Sequence, residues 1–304
     1  MGMQWIQTMQ LKRASRAAHL FLLHLATKDI LVEDNLFIEL PDYLGTHSPT
    51  GDARFVAYYN RARGIYFRDE EMEEEFLTFL GVLHPEKTNP QQSVPDSVAK
   101  FLYSRRQADY MLMLFSEMLQ IGWSDERRKV RHALDFVFKE HNAEWRNKPF
   151  FNAIVLYSES MAPPDSMHGQ PYDRTTIVTF LSWAVDNKIA QAGNTVALVA
   201  EHLGVVAPQL NSETNAVVPI TVPFLNFEDR RETIYALTLE SPQKNLGMTT
   251  EDIANCSAGL SRRAIAGLAR EKIYLNTPLD PDQLFRKKKE HLEDQAPGLL
   301  EISR

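Results

Sequence analysis

Phe151-Asn152-Ala153-Ile154-Val155-Leu156-Tyr157, Thr195-Val196-Ala197-Leu198-Val199-Ala200 and Val218-Pro219-Ile220-Thr221-Val222 decide the fold of this chain. Each run is too short for a helix and carries apolar residues at consecutive positions, so both of its faces expect cover. Between the first two lies a helical pattern from Asp173 to Asn187, and another helix is expected to begin near Asn226. Strands that are apolar on both faces and alternate with helices build a parallel sheet with helices on both sides. The fold class is α/β.

Working upstream, Phe55-Val56-Ala57-Tyr58-Tyr59 is a further buried strand, and Met72, Phe76, Leu77 and Leu80 mark a helix over Asp69 to Leu80. Glu70, Glu71 and Glu73 fall in its first turn, where the helix dipole favours anions. Pro85, Pro90 and Pro95 then mark a break. Two insertion helices are expected across residues 96–142, one from Asp96 to Gln120 and one from Ser124 to Asn142, with Ser124 as N-cap. Leu36 to Leu40 reads as a strand or extended entry segment stopped by Pro41, and Gly45 to Gly51 as a loop. Gln4 to Thr27 reads as one amphipathic helix that packs on the body or on a partner.

Beyond residue 240 the strand pattern stops. Thr249 with Asp252 opens a helix in the manner of a capping box, Gly259 ends it, Ser261 caps a second through Ile273, and Pro281 to Gln295 forms a third. The expected organisation is therefore residues 1–50 as N-terminal helix and entry segment, 51–225 as α/β core with the helical insertion, and 226–304 as a helical lid.

The net charge of −7 argues against a chain whose whole surface neutralises phosphates. A single cysteine, Cys256, allows no intrachain disulfide, which fits a reducing cytoplasm. The apolar stretch Ala17 to Ala26 is too short to span a bilayer, which takes about 20 residues. His84, His132, His141, His168 and His202 show no metal-ligand spacing, and no Gly-x-Ser-x-Gly elbow occurs. Nor does the phosphate-loop pattern Gly-x-x-x-x-Gly-Lys-Ser/Thr. Its nearest imitation, Gly45 to Asp52, has one residue too many between the glycines and an Asp where a lysine must face the phosphates.

Ile154 to Glu159, Asn194 to Leu203 and Val222 to Arg231 together resemble the second half of an AAA+ core: the Walker B strand, the sensor-1 strand, and the last core strand with its turn into the lid. Thr250 to Ala254 and Ala258 to Ile265 resemble the AAA lid, an acidic helix followed by a Gly-hydrophobic-Ser turn and a second helix. Arg286-Lys287-Lys288-Lys289-Glu290 followed by Gly298 to Ile302 is similar to the joint between an incomplete first module and a competent second one in tandem AAA proteins, including a plastid and cyanobacterial type. The resemblance covers about residues 150–301. It implies either the N-terminal half of something longer or a stand-alone relic.

A Walker B strand ends in carboxylates that hold magnesium and orient the attacking water. With Glu159 matched to the catalytic glutamate, the magnesium position falls at Leu156, which holds no cation. Glu201 and His202 stand at the sensor-1 place, and Arg262 and Arg263 are the sensor-like residues of the lid. The resemblance thus implies a module that does not hydrolyse ATP, needs no cofactor and contributes surface beside an ATP-competent AAA+ partner, in the same polypeptide or in trans. Two other readings stay open. One is a clamp-loader-like scaffold with Arg127, Arg128, Lys129 and Arg131 facing DNA. The other is an active ATPase that holds ATP and magnesium with a nonstandard loop, Asn60-Arg61-Ala62-Arg63-Gly64, at the end of the first core strand.

Overall fold

The computed structural model describes residues 4–138, 146–164, 171–212, 216–241 and 246–295. The expected helix end at Asn142, His141, His168 and the Gly298 to Ile302 tail lie outside them. The chain divides into two compact units, Met1–Thr27 with Pro41–Val222, and Lys28–Leu40 with Pro223–Arg304. None of the described helices is long and apolar enough to cross a membrane.

Unit 1 is built on a six-stranded sheet. Its strands are β1 (Leu20–Leu25), β4 (Phe55–Asn60), β5 (Gly64–Phe67), β6 (Phe151–Leu156), β7 (Val196–Val199) and β8 (Val218–Val222), in the order β5-β4-β6-β7-β1-β8. Every pairing is parallel except β4 with β5, which is a hairpin at one edge. All six residues of β6 and all four of β7 are buried, as their unbroken apolar runs require.

The first strand corrects the expectation of one long helix from Gln4 to Thr27. The helix α1 stops at Ala14, and Leu20–Leu25 enters the sheet between β7 and β8. Arg16 (φ 56) turns the chain, its N–H bonding back to Arg13 O at 2.9 Å and that of Ala17 to Lys12 O at 2.9 Å. These bonds satisfy carbonyls that a helix end leaves open. Leu20, Phe21, Leu22 and Leu23 are all inaccessible to solvent. An apolar run buried on every side carries no periodicity that separates strand from helix.

Several helices also differ from expectation. The segment expected as one helix from Asp96 to Gln120 is two, α4 (Asp96–Ser104) and α5 (Ala108–Met118), because the carbonyls at the break serve the neighbouring hairpin, Ile65 N–H donating to Arg105 O at 2.8 Å. Ser124 caps nothing. Asp125 instead accepts from Arg127 N–H at 2.9 Å and from its guanidinium at 2.7 Å, and helix α6 starts at Arg128. Gly45 belongs to helix α2 (Leu40–Thr46) rather than to a loop, and a Cβ there would collide with the Tyr58 hydroxyl at 1.6 Å. The acidic-capped helix α3 (Glu70–Leu83) forms as expected, with Asp69 accepting from Met72 N–H at 2.8 Å. Helices α7 (Pro171–Val185) and α8 (Asn187–Ala192) fill the crossover between β6 and β7.

Two buried asparagines tie the amino ends of the central strands. Asn194 accepts from Phe150 and Phe151 N–H at 3.0 and 3.1 Å and donates to Leu119 and Ile121 O at 2.7 and 2.9 Å. Asn152 accepts from Thr195 N–H and donates to Pro49 and Thr50 O. With all four hydrogen-bonding positions of Asn194 filled, a polar side chain becomes a fixed part of the core.

Unit 2 comprises the hairpin β2 (Ile30–Glu33) and β3 (Leu36–Glu39) and the helices α9 (Phe227–Glu240), α10 (Thr250–Cys256), α11 (Arg262–Leu275) and α12 (Pro281–Gln295). Asn226 and Asp229 form a reciprocal capping box on α9, and Thr249 and Ser261 cap α10 and α11. Ile30 packs with Ile234, Leu237, Ile253, Ile265 and Leu284, so the hairpin shares the apolar core of these helices.

Candidate functional site at the carboxyl edge of the sheet

In open α/β sheets ligands bind outside the carboxyl ends of the strands, where the direction of strand succession reverses. Here that place is the end of β1, since the chain leaves β1 toward β4, returns through β6 and β7, and crosses β1 to reach β8. A phosphate placed there would take backbone N–H groups from the loop after the strand. The first two donors there are already bonded: Leu25 N–H (φ 86) donates to Glu201 O at 2.9 Å, and Ala26 N–H to Val222 O at 3.1 Å. The Thr27 hydroxyl donates to Ala200 O at 2.9 Å, and no glycine occurs from Leu25 to Lys28.

β6 ends one strand further along the same edge, beyond β7. Tyr157 adopts a left-handed conformation and starts a short turn over Ser158–Ser160. The Ser158 hydroxyl donates to Val199 O at 3.2 Å, locking the turn to β7. Glu159 lies in the turn, half-buried, with its Oε2 buried and without a hydrogen-bond partner. Leu156 is 7% exposed, so the position matched to a magnesium carboxylate is a buried apolar side chain.

β7 is followed by Glu201 and His202, whose side chains are 4.0 Å apart and partly exposed. Beside them His24 Nε2 meets the Thr221 hydroxyl at 3.1 Å. Burial, and then the nearby His202, holds the His24 pKa below its ordinary value. The edge thus offers two carboxylates and two imidazoles, but no three such groups among the described residues converge as a metal site.

Asn60, Arg61, Arg63 and Gly64 lie elsewhere on the sheet. They form the turn between β4 and edge strand β5, and β6 and β7 stand between β4 and β1. This corrects the expectation that their loop closes the first core strand, which is β1. Asn60 Oδ1 accepts from Ala62 and Arg63 N–H at 3.1 and 2.8 Å, and Gly64 has φ +84.

Within unit 2, Arg262 is 5% exposed and donates to the Thr233 hydroxyl at 2.9 Å and to Ile30 O at 3.2 Å. Burial lowers its pKa. Arg263 pairs with Glu39. Asp29 accepts from the N–H groups of Arg262 and Arg263 at 2.7 and 2.8 Å, so an internal carboxylate occupies the start of α11. Sequence reasoning missed Asp29, His24, Thr27 and Thr221. For Thr27 and Asp29 the signal was available, a polar Thr-Lys-Asp directly after Leu20 to Ala26, a stretch apolar except for His24.

A mostly parallel sheet with its reversal at the end of β1, followed by capped helices at the C-terminus, defines an AAA+-type α/β core with a helical lid. The family model described as "AAA+ chaperone, N-terminal Rossmann-like domain" matches residues 3–223, well over half of the 304, and the chain belongs to this family. The matched stretch closes one residue past the end of unit 1. A search of curated proteins gives no match.

Proposed function

We propose that the chain is a non-hydrolysing AAA+-type module that works by assembly with an ATP-competent AAA+ module, in the same polypeptide or in trans. One observation carries the reading: the Leu25 and Ala26 N–H groups at the end of β1 are spent on Glu201 and Val222 carbonyls. Phosphate binding there would require breaking bonds within the sheet's own loops, and no lysine in a glycine-rich turn repays that cost. The apolar Leu156 at the magnesium position supports the same conclusion. Glu159 has no second carboxylate beside it on β6, where hydrolysis would need one to hold magnesium.

Calorimetric titration with magnesium-ATP and a phosphate-release assay on the purified chain test this directly. The expected result is no magnesium-dependent heat and no release above blank. Micromolar, magnesium-dependent affinity with turnover would overturn the proposal. Mutation of Glu159 to Gln is expected to change neither measurement.

A further inference from the structure

The β4–β5 turn and the break between α4 and α5 are bonded to each other. Besides the Ile65 to Arg105 bond, the Tyr59 hydroxyl donates to Arg106 O at 3.2 Å. Gly64 allows the approach: a Cβ there would lie 2.6 Å from Arg105 O and 2.9 Å from Arg106 Cγ. Two adjoining turns therefore present Arg61, Arg63, Arg105 and Arg106, on a chain whose net charge is −7.

Two of these arginines are held in place. The Arg63 guanidinium lies 3.8 Å over the Tyr66 ring, which stacks on Tyr58 at 5.0 Å, and Arg105 pairs with Glu73 at 3.0 Å. A guanidinium stacked on a ring keeps its N–H fork in plane and open to a carboxylate, while its orientation is already fixed. On the last turn of α4, Tyr103 is 87% exposed and Leu102 52%. Exposed large apolar side chains two and three residues before Arg105, with oriented arginines, match the composition of protein-binding hot spots.

Arg63 and Arg105 also line a cleft of about 370 Å³ whose other residues include Glu70, Glu74 and Leu77 of α3. A polymer bearing a phosphate at every step would meet these carboxylates and be repelled. A peptide can place anions and cations at separate positions. We propose that this face docks a partner protein's peptide segment, with acidic side chains toward Arg63 and Arg106, an apolar side chain on Leu102 and Tyr103, and a cation toward Glu70 or Glu74. The assignment holds whether or not the chain binds nucleotide.

The test is a displayed library of random peptides of about twelve residues, panned on the full chain, followed by affinity measurement of the enriched peptides. Enriched peptides are expected to combine two or more carboxylates with an apolar residue. Arg63→Glu and Arg106→Glu should each weaken them roughly tenfold or more, and Arg63→Lys less. Tyr103→Ala alters a side chain that packs on almost nothing, so it keeps the test valid if the arginine variants fold poorly, and it should weaken binding as well. Lys287→Glu in unit 2 serves as a control and should leave affinity unchanged. The proposal is overturned by enrichment without carboxylates, by equal binding to the variants, by no enrichment at all, or by a single-stranded oligonucleotide that binds more tightly and is lost in the same variants.

Discussion

Replacing Asp29 with alanine should unfold unit 2 at a markedly lower temperature. Its carboxylate accepts from Arg262 and Arg263 N–H at 2.7 and 2.8 Å, across more than two hundred residues of sequence, and locally from Ile30 N–H at 2.9 Å. Hydrogen bonds to a charged group contribute about 1.5–3 kcal/mol each. Asp29 is half-buried, so water can reach the released amides, and Ser261 still accepts from Ala264 N–H at 3.1 Å. Water recovers part of each bond, so the loss should total about 2–3 kcal/mol, below the roughly 4.5 kcal/mol of three such bonds at the low end of the range, even with the anion's interaction with the start of α11. For a unit of roughly a hundred residues, each kcal/mol moves the midpoint by about 4–8 °C, so a fall of about 8–24 °C is expected. Circular dichroism melts would show it as an early transition. Hydrogen exchange should quicken over residues 30–39 and 260–266 while β6 and β7 keep their protection. Asp29→Asn, which retains an acceptor but not the charge, should fall between. A midpoint lowered by less than about 3 °C with unchanged exchange would refute the reasoning.

Further predictions follow from single side chains. Asn194→Ala strands two buried N–H and two buried carbonyl groups, so chemical denaturation should show a loss of about 3–5 kcal/mol. Gly64→Ala forces a side chain into a left-handed backbone and against Arg105 O, and should cost about 2 kcal/mol or more by the same measurement. His24 has a folded-state pKa below its unfolded value of 6.5, so the unfolded chain binds the extra proton first as pH falls. Its contribution is complete above pH 6.5 and declines as pH drops toward the folded pKa. Melting temperatures should therefore fall in that window, and His24→Gln should flatten the profile there; an unchanged profile would count against the assignment.

The strands most legible in the sequence were β6 and β7, buried on both faces and set between helices. β8 was also found, but as the edge strand it is covered on one face only, with Pro219 and Thr221 exposed rather than buried as its apolar run led one to expect. Capping was legible at Thr249 and Ser261, each of which accepts from a donor three residues on, but not at Ser124, where Asp125 takes the local donors instead. β1 was not legible, since Leu20 to Leu23 follow closely on the helix Gln4–Ala14 and lack a period of their own. The break at Arg105 was hidden for another reason, its cause being an amide in a hairpin forty residues upstream. The same division holds at the candidate site. Glu159, Glu201 and His202 could be found from strand ends, whereas Thr27 and His24 acquire meaning only once β1 is located, and Asp29 only once α11 is seen beside it.

The hairpin Ile30–Glu39 belongs to unit 2, although the rest of that unit begins only at Pro223. During synthesis it leaves the ribosome long before α9, α10 and α11 exist. At about 5–20 residues per second the intervening stretch takes roughly 10–40 s to make. Throughout that time Ile30, which ends up inside the helical core, has no partner. Unit 1 can meanwhile assemble around β1, so the order of translation gives the nascent chain a waiting hairpin that only the last helices can cover.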